Sequence, residues 1–229
     1  WLSAAVVPQF DLSVTLFLGC PAQYHREALR MRNRLVIFAK APRMGLAKRR
    51  LAADIGMVAA ARFQRLTLDA TVRRLAKDVR WETWLATTGG LARWPAGVMR
   101  MNQPEGDLGQ RMGRIIRGFG PGPVVIVGSD IPDIMPAHIA DAFKALGRHD
   151  AVFGPADDGG YWLVGLRRRP VQPDLFHPVR WSTSHALADT IANLGDRFSH
   201  TLVETLVDVD DAAAMSRWLT GRRNRSQAG

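Results

Sequence analysis

Pro123-Val-Val-Ile-Val-Gly128-Ser-Asp130-Ile-Pro-Asp133 decides how this chain folds. Four consecutive branched apolar residues, bounded by Pro and Gly, read as a strand buried on both faces. An acidic turn follows at once. Pro136 then opens a helix to about Leu146, since proline is tolerated at a first helical position. Upstream, Arg34-Leu-Val-Ile-Phe-Ala39 repeats the pattern of a short buried strand. Glu82–Thr87 and Val98–Asn102 read as two more strands, followed downstream by Asp150–Gly154, Gly160–Leu166 and Thr201–Asp208. Between them, apolar residues recur at helical spacing over Arg50–Lys77 (interrupted near Gly56), Leu108–Phe119, Ser182–Leu194 and Asp211–Thr220. Strands alternating with helices predict an α/β fold: one three-layer α/β/α sandwich with a mostly parallel sheet. In such sheets ligands bind outside the carboxyl ends of the strands, where the strand order switches.

The rest of the chain narrows the possibilities. Of 229 residues, 31 are Lys or Arg and 21 Asp or Glu, a formal charge of +10 that suits a polyanionic ligand. No nucleic-acid motif accompanies that charge, so no nucleic-acid partner is expected. A lone cysteine, Cys20, excludes an intrachain disulfide and a Cys-based zinc cluster, and fits a cytoplasmic protein. No run is long enough to span a membrane. The apolar stretch Leu12–Cys20 has no Lys or Arg before it, unlike a signal peptide. Met31 stands just ahead of the first convincing strand, so residues 1–33 read as an N-terminal extension, 34–220 as the domain and 221–229 as a loose basic tail. Monomer and homodimer both fit.

Three loops carry chemistry. Lys40-Ala-Pro-Arg43-Met-Gly45-Leu-Ala-Lys48-Arg-Arg50 follows the first strand and combines cations with a glycine, as phosphates require. It is neither a P-loop nor GxGxxG. Asp130, at the end of the central strand, is well placed to hold Mg²⁺ or Mn²⁺ against phosphate oxygens. Asp133 reads either as a second acidic ligand or as a turn cap. Gly154-Pro-Ala-Asp157-Asp158-Gly159-Gly160-Tyr161 is a second acidic turn, fit for a metal, a sugar hydroxyl or an acceptor, or simply a tight turn. Asp208 is a further metal candidate, and Asp211 reads as a helix cap. Glu105-Gly106-Asp107 enters a helix and brings Arg111 towards a substrate phosphate or carboxylate. Trp181 reads as core, or as a platform for a base or sugar.

Taken together, Phe38-Ala-Lys40-Ala-Pro-x-x-Gly45-x-x-Lys48-x-Arg50-Leu51, Gly106-Asp107-Leu-Gly-x-Arg111-Met, Gly128-Ser-Asp130-x-Pro-Asp133 and Gly154-Pro-Ala-x-Asp158-Gly159-Gly160-Tyr161 with Trp181-Ser-Thr183 resemble the small bacterial glycosyltransferases of the arsenosugar-biosynthesis type. Those belong to the nucleotide-diphospho-sugar transferase superfamily with the GT-A fold. The phospholactate, phosphoenolpyruvate and molybdenum-cofactor guanylyltransferases are cousins. The resemblance covers about residues 34–220. It implies that Lys40, Gly45, Lys48 and Arg50 lie along nucleotide phosphates and that Asp130 is the metal-binding aspartate; by their own chemistry Arg43 is expected beside the phosphates and Asp208 as a second ligand of Mg²⁺ or Mn²⁺. It also implies that Asp158, Gly159 and Gly160 line the acceptor or sugar side; Asp107, Arg111 and Tyr161 are further expected substrate contacts, and Asp130 and Asp158 are the expected catalytic residues. The implied reaction is glycosyl transfer from a nucleotide-sugar to a small acceptor. The alternatives are nucleotidyl transfer from an NTP with pyrophosphate release, or a nucleotide-binding module that has lost turnover. Two departures bear on this: Arg49 stands where the family has Thr, and Asp157 where an apolar residue is usual.

Overall fold

The computed structural model describes residues 32–45, 48–168 and 172–227. Among them the chain runs β1 (Arg34–Lys40), α1 (Arg49–Ile55), α2 (Met57–Leu75), β2 (Glu82–Thr88), β3 (Met99–Asn102), α3 (Leu108–Gly118) and β4 (Val124–Gly128). It continues α4 (Pro136–Ala145), β5 (Ala151–Pro155), β6 (Tyr161–Leu166), α5 (Ala186–Ala192), β7 (His200–Leu202) and α6 (Ala212–Gln227). The expected alternation is present. The extension predicted over residues 1–33 lies, except for its last two residues, outside the described residues.

Seven strands form one sheet in the order β3-β2-β1-β4-β6-β5-β7. β1 pairs in parallel with both β2 and β4. β6 runs antiparallel to β4 and to β5. β4 and β5 therefore point the same way, and β6 is the one reversed strand. Helices cover both faces. Alternate residues of β1 and β4 face opposite layers, as the strand period of two requires. Leu35, Ile37, Val125 and Val127 meet Leu68, Val72 and Leu75 of α2 and Ile139 and Phe143 of α4. Val36, Val124 and Ile126 meet Met112, Ile115 and Ile116 of α3, with Leu187 and Ile191 of α5. Every one of these sheet residues is almost fully buried. That explains why β1 and β4 read as continuous apolar runs.

Three expected boundaries move. α5 begins at Ala186 rather than Ser182. Ser182 adopts a left-handed φ of 61°, and the Thr183 hydroxyl donates to the Arg180 carbonyl at 2.8 Å, closing a turn instead of capping a helix. β7 stops at Leu202; beyond it Leu206 keeps only a single bridge to Ala156 as the chain leaves the sheet edge. α6 runs to Gln227 through most of the stretch expected to be a loose tail. One glycine does not end a helix whose neighbours favour it. Arg222 also lies over the Trp218 ring at 5.2 Å, one turn back, across Gly221.

The topology fixes where ligands can bind. From β1 the chain builds outward to β2 and β3, then returns to place β4 on the other side of β1. The crevice at the carboxyl ends of β1 and β4 is that reversal point.

Candidate functional site

Lys40 ends β1 and Asp130 lies two residues beyond β4, so the switch point is flanked by the basic loop and the first acidic turn. Pro155 ends β5 and Tyr161 begins the reversed β6, which brings the second acidic turn to the same edge of the sheet. A cleft of about 780 Å³ opens there, within the size range of small-molecule sites. Its walls include Lys40, Lys48, Arg49 and Arg50 on the basic side, and Asp158, Asp208 and Asp210 on the acidic side. Gly160, Tyr161, Trp181 and Thr183 also line it.

Lys48 is the centre of the arrangement. It precedes α1 in the left-handed conformation (φ 51°, ψ 47°), and its side chain is only 2 % exposed. Its ammonium donates to the Val209 carbonyl and lies 3.4 Å from Asp130 Oδ1 and 3.8 Å from Asp208 Oδ1. Both Oδ1 atoms are buried and, among the described residues, accept no hydrogen bond. The strand-like path from Leu206 to Asp210 is held against this point by the backbone: Val209 N–H approaches the Asp130 carbonyl, and Leu51 N–H donates to the Asp210 carbonyl at 3.0 Å.

Burial pushes the Asp208 carboxyl up to about 7, against the pull of Lys48 and with repulsion from Asp130, Asp210 and Asp158. Asp210 is raised for the same first reason, burial. Negative charge is thus crowded around a single ammonium. Two buried, unbonded carboxylate oxygens facing one point are a hard oxygen donor set that fits Mg²⁺ or Mn²⁺. Mg²⁺ in particular is held by one or two carboxylates, with phosphate oxygens and water completing the shell. No group of three ligating side chains occurs among the described residues, so a cation here needs its ligand's oxygens.

The other expected site residues divide. Asp158 faces the cleft, with Oδ1 accepting the Gly160 N–H at 2.9 Å. Its neighbour Asp157 does not line the cleft: Arg217 of α6 donates to Oδ2 at 2.8 Å and the Asp208 N–H to Oδ1 at 3.4 Å. Tyr161 is largely buried, which raises its phenol pKa, and its ring meets Trp181 edge-on at 6.4 Å. Trp181 packs on the α3 side of the core, as one of its two readings expected, and one edge of it lines the cleft. Arg49 also lines the cleft, so the departure from Thr adds a cation there.

Arg43 and Gly45 are exposed on the loop and do not line the cleft. Asp107 and Arg111 do not line it either: Asp107 caps α3 by accepting from Gln110 N–H at 2.8 Å, and Arg111 Nε donates to the Gly106 carbonyl at 2.6 Å. Asp133 accepts from Trp218 Nε1 at 3.0 Å, so it anchors α6. Asp211 caps α6 through the Ala214 N–H, as read. Asp210 was missed; its signal was the middle carboxylate of Asp208-Val-Asp210-Asp211.

A second depression, of about 810 Å³, lies between α2, α4 and α6. In it His138 pairs with Glu204, Trp218 donates to Asp133, and Arg74 donates to the Pro132 carbonyl. No helix among the described residues is long and apolar enough to cross a membrane.

Comparison with solved structures agrees with the fold. A Desulfovibrio desulfuricans protein assigned to the nucleotide-diphospho-sugar transferases superposes with a TM-score of 0.71 at 29 % identity, over 78 % of this chain and 82 % of that one. A nucleotidyl transferase from Methanothermobacter gives 0.53 at 16 % identity, over 86 % and 99 %. CMP-2-keto-3-deoxy-manno-octonic acid synthetase, complexed with CTP, gives 0.51 at 12 %, over 85 % and 99 %. The last two likenesses show the fold alone. Among curated proteins no significant match is found. The fold is that of the nucleotide-diphospho-sugar transferases. Residues 59–183, from α2 to the turn before α5, match one family model, and the chain belongs to that family, described as an uncharacterized protein conserved in bacteria (DUF2064).

Proposed function

We propose that the protein is a metal-dependent transferase that uses an activated nucleotide, transferring a glycosyl group from a nucleotide-sugar to a small acceptor, as the arsenosugar-type relatives it resembles would. The observation that carries this reading is the cleft at the β1/β4 switch point, with cations on one wall and carboxylates on the other. Lys40, Lys48, Arg49 and Arg50 would bind the diphosphate and stabilise the charge it gains on leaving. Asp130 and Asp208 would hold Mg²⁺ or Mn²⁺, which when bound supplies further neutralisation of that leaving group. Tyr161 and Trp181 would bound the sugar or base side. Asp158 would present Oδ2 to the acceptor. It would take the acceptor hydroxyl's proton as that oxygen bonds to the anomeric carbon and the bond from that carbon to the diphosphate breaks.

A specific observation favours a second reading. Arg49 adds a cation to the phosphate wall, and four cations suit a triphosphate. A phosphorylated acceptor would then attack the α-phosphate of an NTP and release pyrophosphate. Product analysis decides. The protein is incubated with nucleotide-sugars and with NTPs, with Mg²⁺, with Mn²⁺ and with EDTA, over a panel of small acceptors. Free nucleoside diphosphate formed only with metal supports glycosyl transfer. Pyrophosphate supports the second reading, and turnover that survives EDTA overturns the metal assignment.

A further inference from the structure

The position of Lys48 is unusual for a phosphate-binding lysine. A cation meant only for phosphate would extend into the cleft. Here the side chain is 2 % exposed and its ammonium lies between Asp130 Oδ1 and Asp208 Oδ1, at 3.4 and 3.8 Å. Among the described residues those oxygens have no hydrogen-bond donor. Lys48 thus stands where a divalent cation would bind. A doubly charged ion and an ammonium repel too strongly to share that point. Among the described residues the ammonium donates one hydrogen bond, to the Val209 carbonyl. Its backbone is in the left-handed conformation, which a lysine adopts only against steric resistance. The wall beside it carries Lys40, Arg49 and Arg50, so a released side chain would meet phosphate.

We propose that Lys48 is the resident counter-cation of the Asp130–Asp208 pair, and that a divalent cation entering the site displaces its ammonium towards the nucleotide phosphates. This inference rests on the metal reading given under Proposed function. It makes metal and nucleotide bind cooperatively. Metal alone must expel Lys48 with nothing to receive it, whereas metal with a nucleotide gives the ammonium a new anionic partner. By linkage, each ligand then raises the affinity of the other by the same factor.

The test measures binding, not turnover. Mn²⁺ is titrated into the full-length protein and into Lys48→Met, followed by the EPR signal of free Mn²⁺, with and without a nucleoside diphosphate. Lys48→Met is expected to bind Mn²⁺ at least about tenfold more tightly than the wild type when no nucleotide is present, and to lose most of the mutual enhancement. In the wild type, Mn²⁺ is expected to speed acylation of Lys48 by an amine reagent about fivefold or more, read by peptide mass spectrometry; this readout does not depend on the variant's folding. Equal Mn²⁺ affinity in the two proteins, with acylation of Lys48 unchanged at saturating Mn²⁺, overturns the displacement alone. Absence of Mn²⁺ binding in every form, with nucleotide present or absent, overturns the metal reading and this inference with it.

Discussion

Residue 159 has no room for a side chain because Ser184 occupies it. A Cβ there would lie 2.7 Å from Ser184 Cα, and φ at this glycine is +86°. The Gly159 carbonyl also accepts the Leu187 N–H at 3.2 Å, so the second acidic turn is clamped to the segment entering α5. Gly159 therefore helps set the position of Asp158 in the cleft.

Gly159→Ala should separate the two segments. The strained backbone alone costs about 1–3 kcal/mol, and the clash adds to it. A fall in Tm of several degrees is expected, with nucleotide affinity reduced because the cleft wall has moved. Thermal unfolding and a binding titration check this. A variant with unchanged Tm would mean that the turn relaxes freely.

Asp130 should be indispensable and structurally replaceable. It is only half-buried, and its carboxylate is committed to Lys48. Asp130→Asn should leave the circular dichroism spectrum intact, abolish any metal-dependent thermal shift, and cut turnover by about 10²–10³-fold or more, the scale for losing one electrostatic stabiliser. Retained turnover would remove Asp130 from the site.

Asp157 and Asp158 are adjacent but should behave oppositely. Asp157 is paired with Arg217 of α6 at 2.8 Å, the arginine being half exposed. A double-mutant cycle on Asp157→Ala and Arg217→Ala should show a coupling of about 0.2–1 kcal/mol, as for exposed pairs, with kcat little changed. Asp158→Ala should lower kcat and leave stability almost untouched. The reverse pattern would exchange their roles.

Much of this was legible in the chain. The interior positions of strands β1 and β4 are apolar because helices cover both faces, and that composition marks them without any partner in view. The break at Gly56 and the start at Pro136 are local backbone constraints, again readable. The reversal of β6 was not, because strand direction depends on partners distant in sequence. Nor was the burial of Lys48. Five cations lie between Lys40 and Arg50, and nothing local distinguishes the one that turns inward. Asp130, Asp208 and the Val209 carbonyl choose it, and the last two arrive from a chain segment 160 residues further on. Asp107 and Arg111 show the converse. Their motif is readable, yet the structure spends it on capping α3.

Asp107→Ala should accordingly cost about 1 kcal/mol of stability, the usual value of a helix cap, and leave nucleotide affinity unchanged. A loss of affinity at unchanged stability would return Asp107 to the substrate.

Asp208 should trade stability for binding. Burial holds its carboxyl near 7, against an ordinary value of 3.8. The folded chain therefore keeps a proton that the unfolded chain has already released, and the stability this contributes is present below about 4 and lost as pH rises through 7. Asp208→Asn removes that dependence. Without metal, the variant and the wild type should unfold at similar temperatures near pH 4. By pH 8 the variant should be more stable by about 3–8 °C, a shift corresponding to one or two kcal/mol. Mn²⁺ should then raise the Tm of the wild type and not of the variant, since ligands stabilise only the state that binds them. If Asp208→Asn is instead less stable at pH 8, the ion pair with Lys48 outweighs the burial of the carboxylate, and Asp208 is held in place for packing rather than kept for a cation.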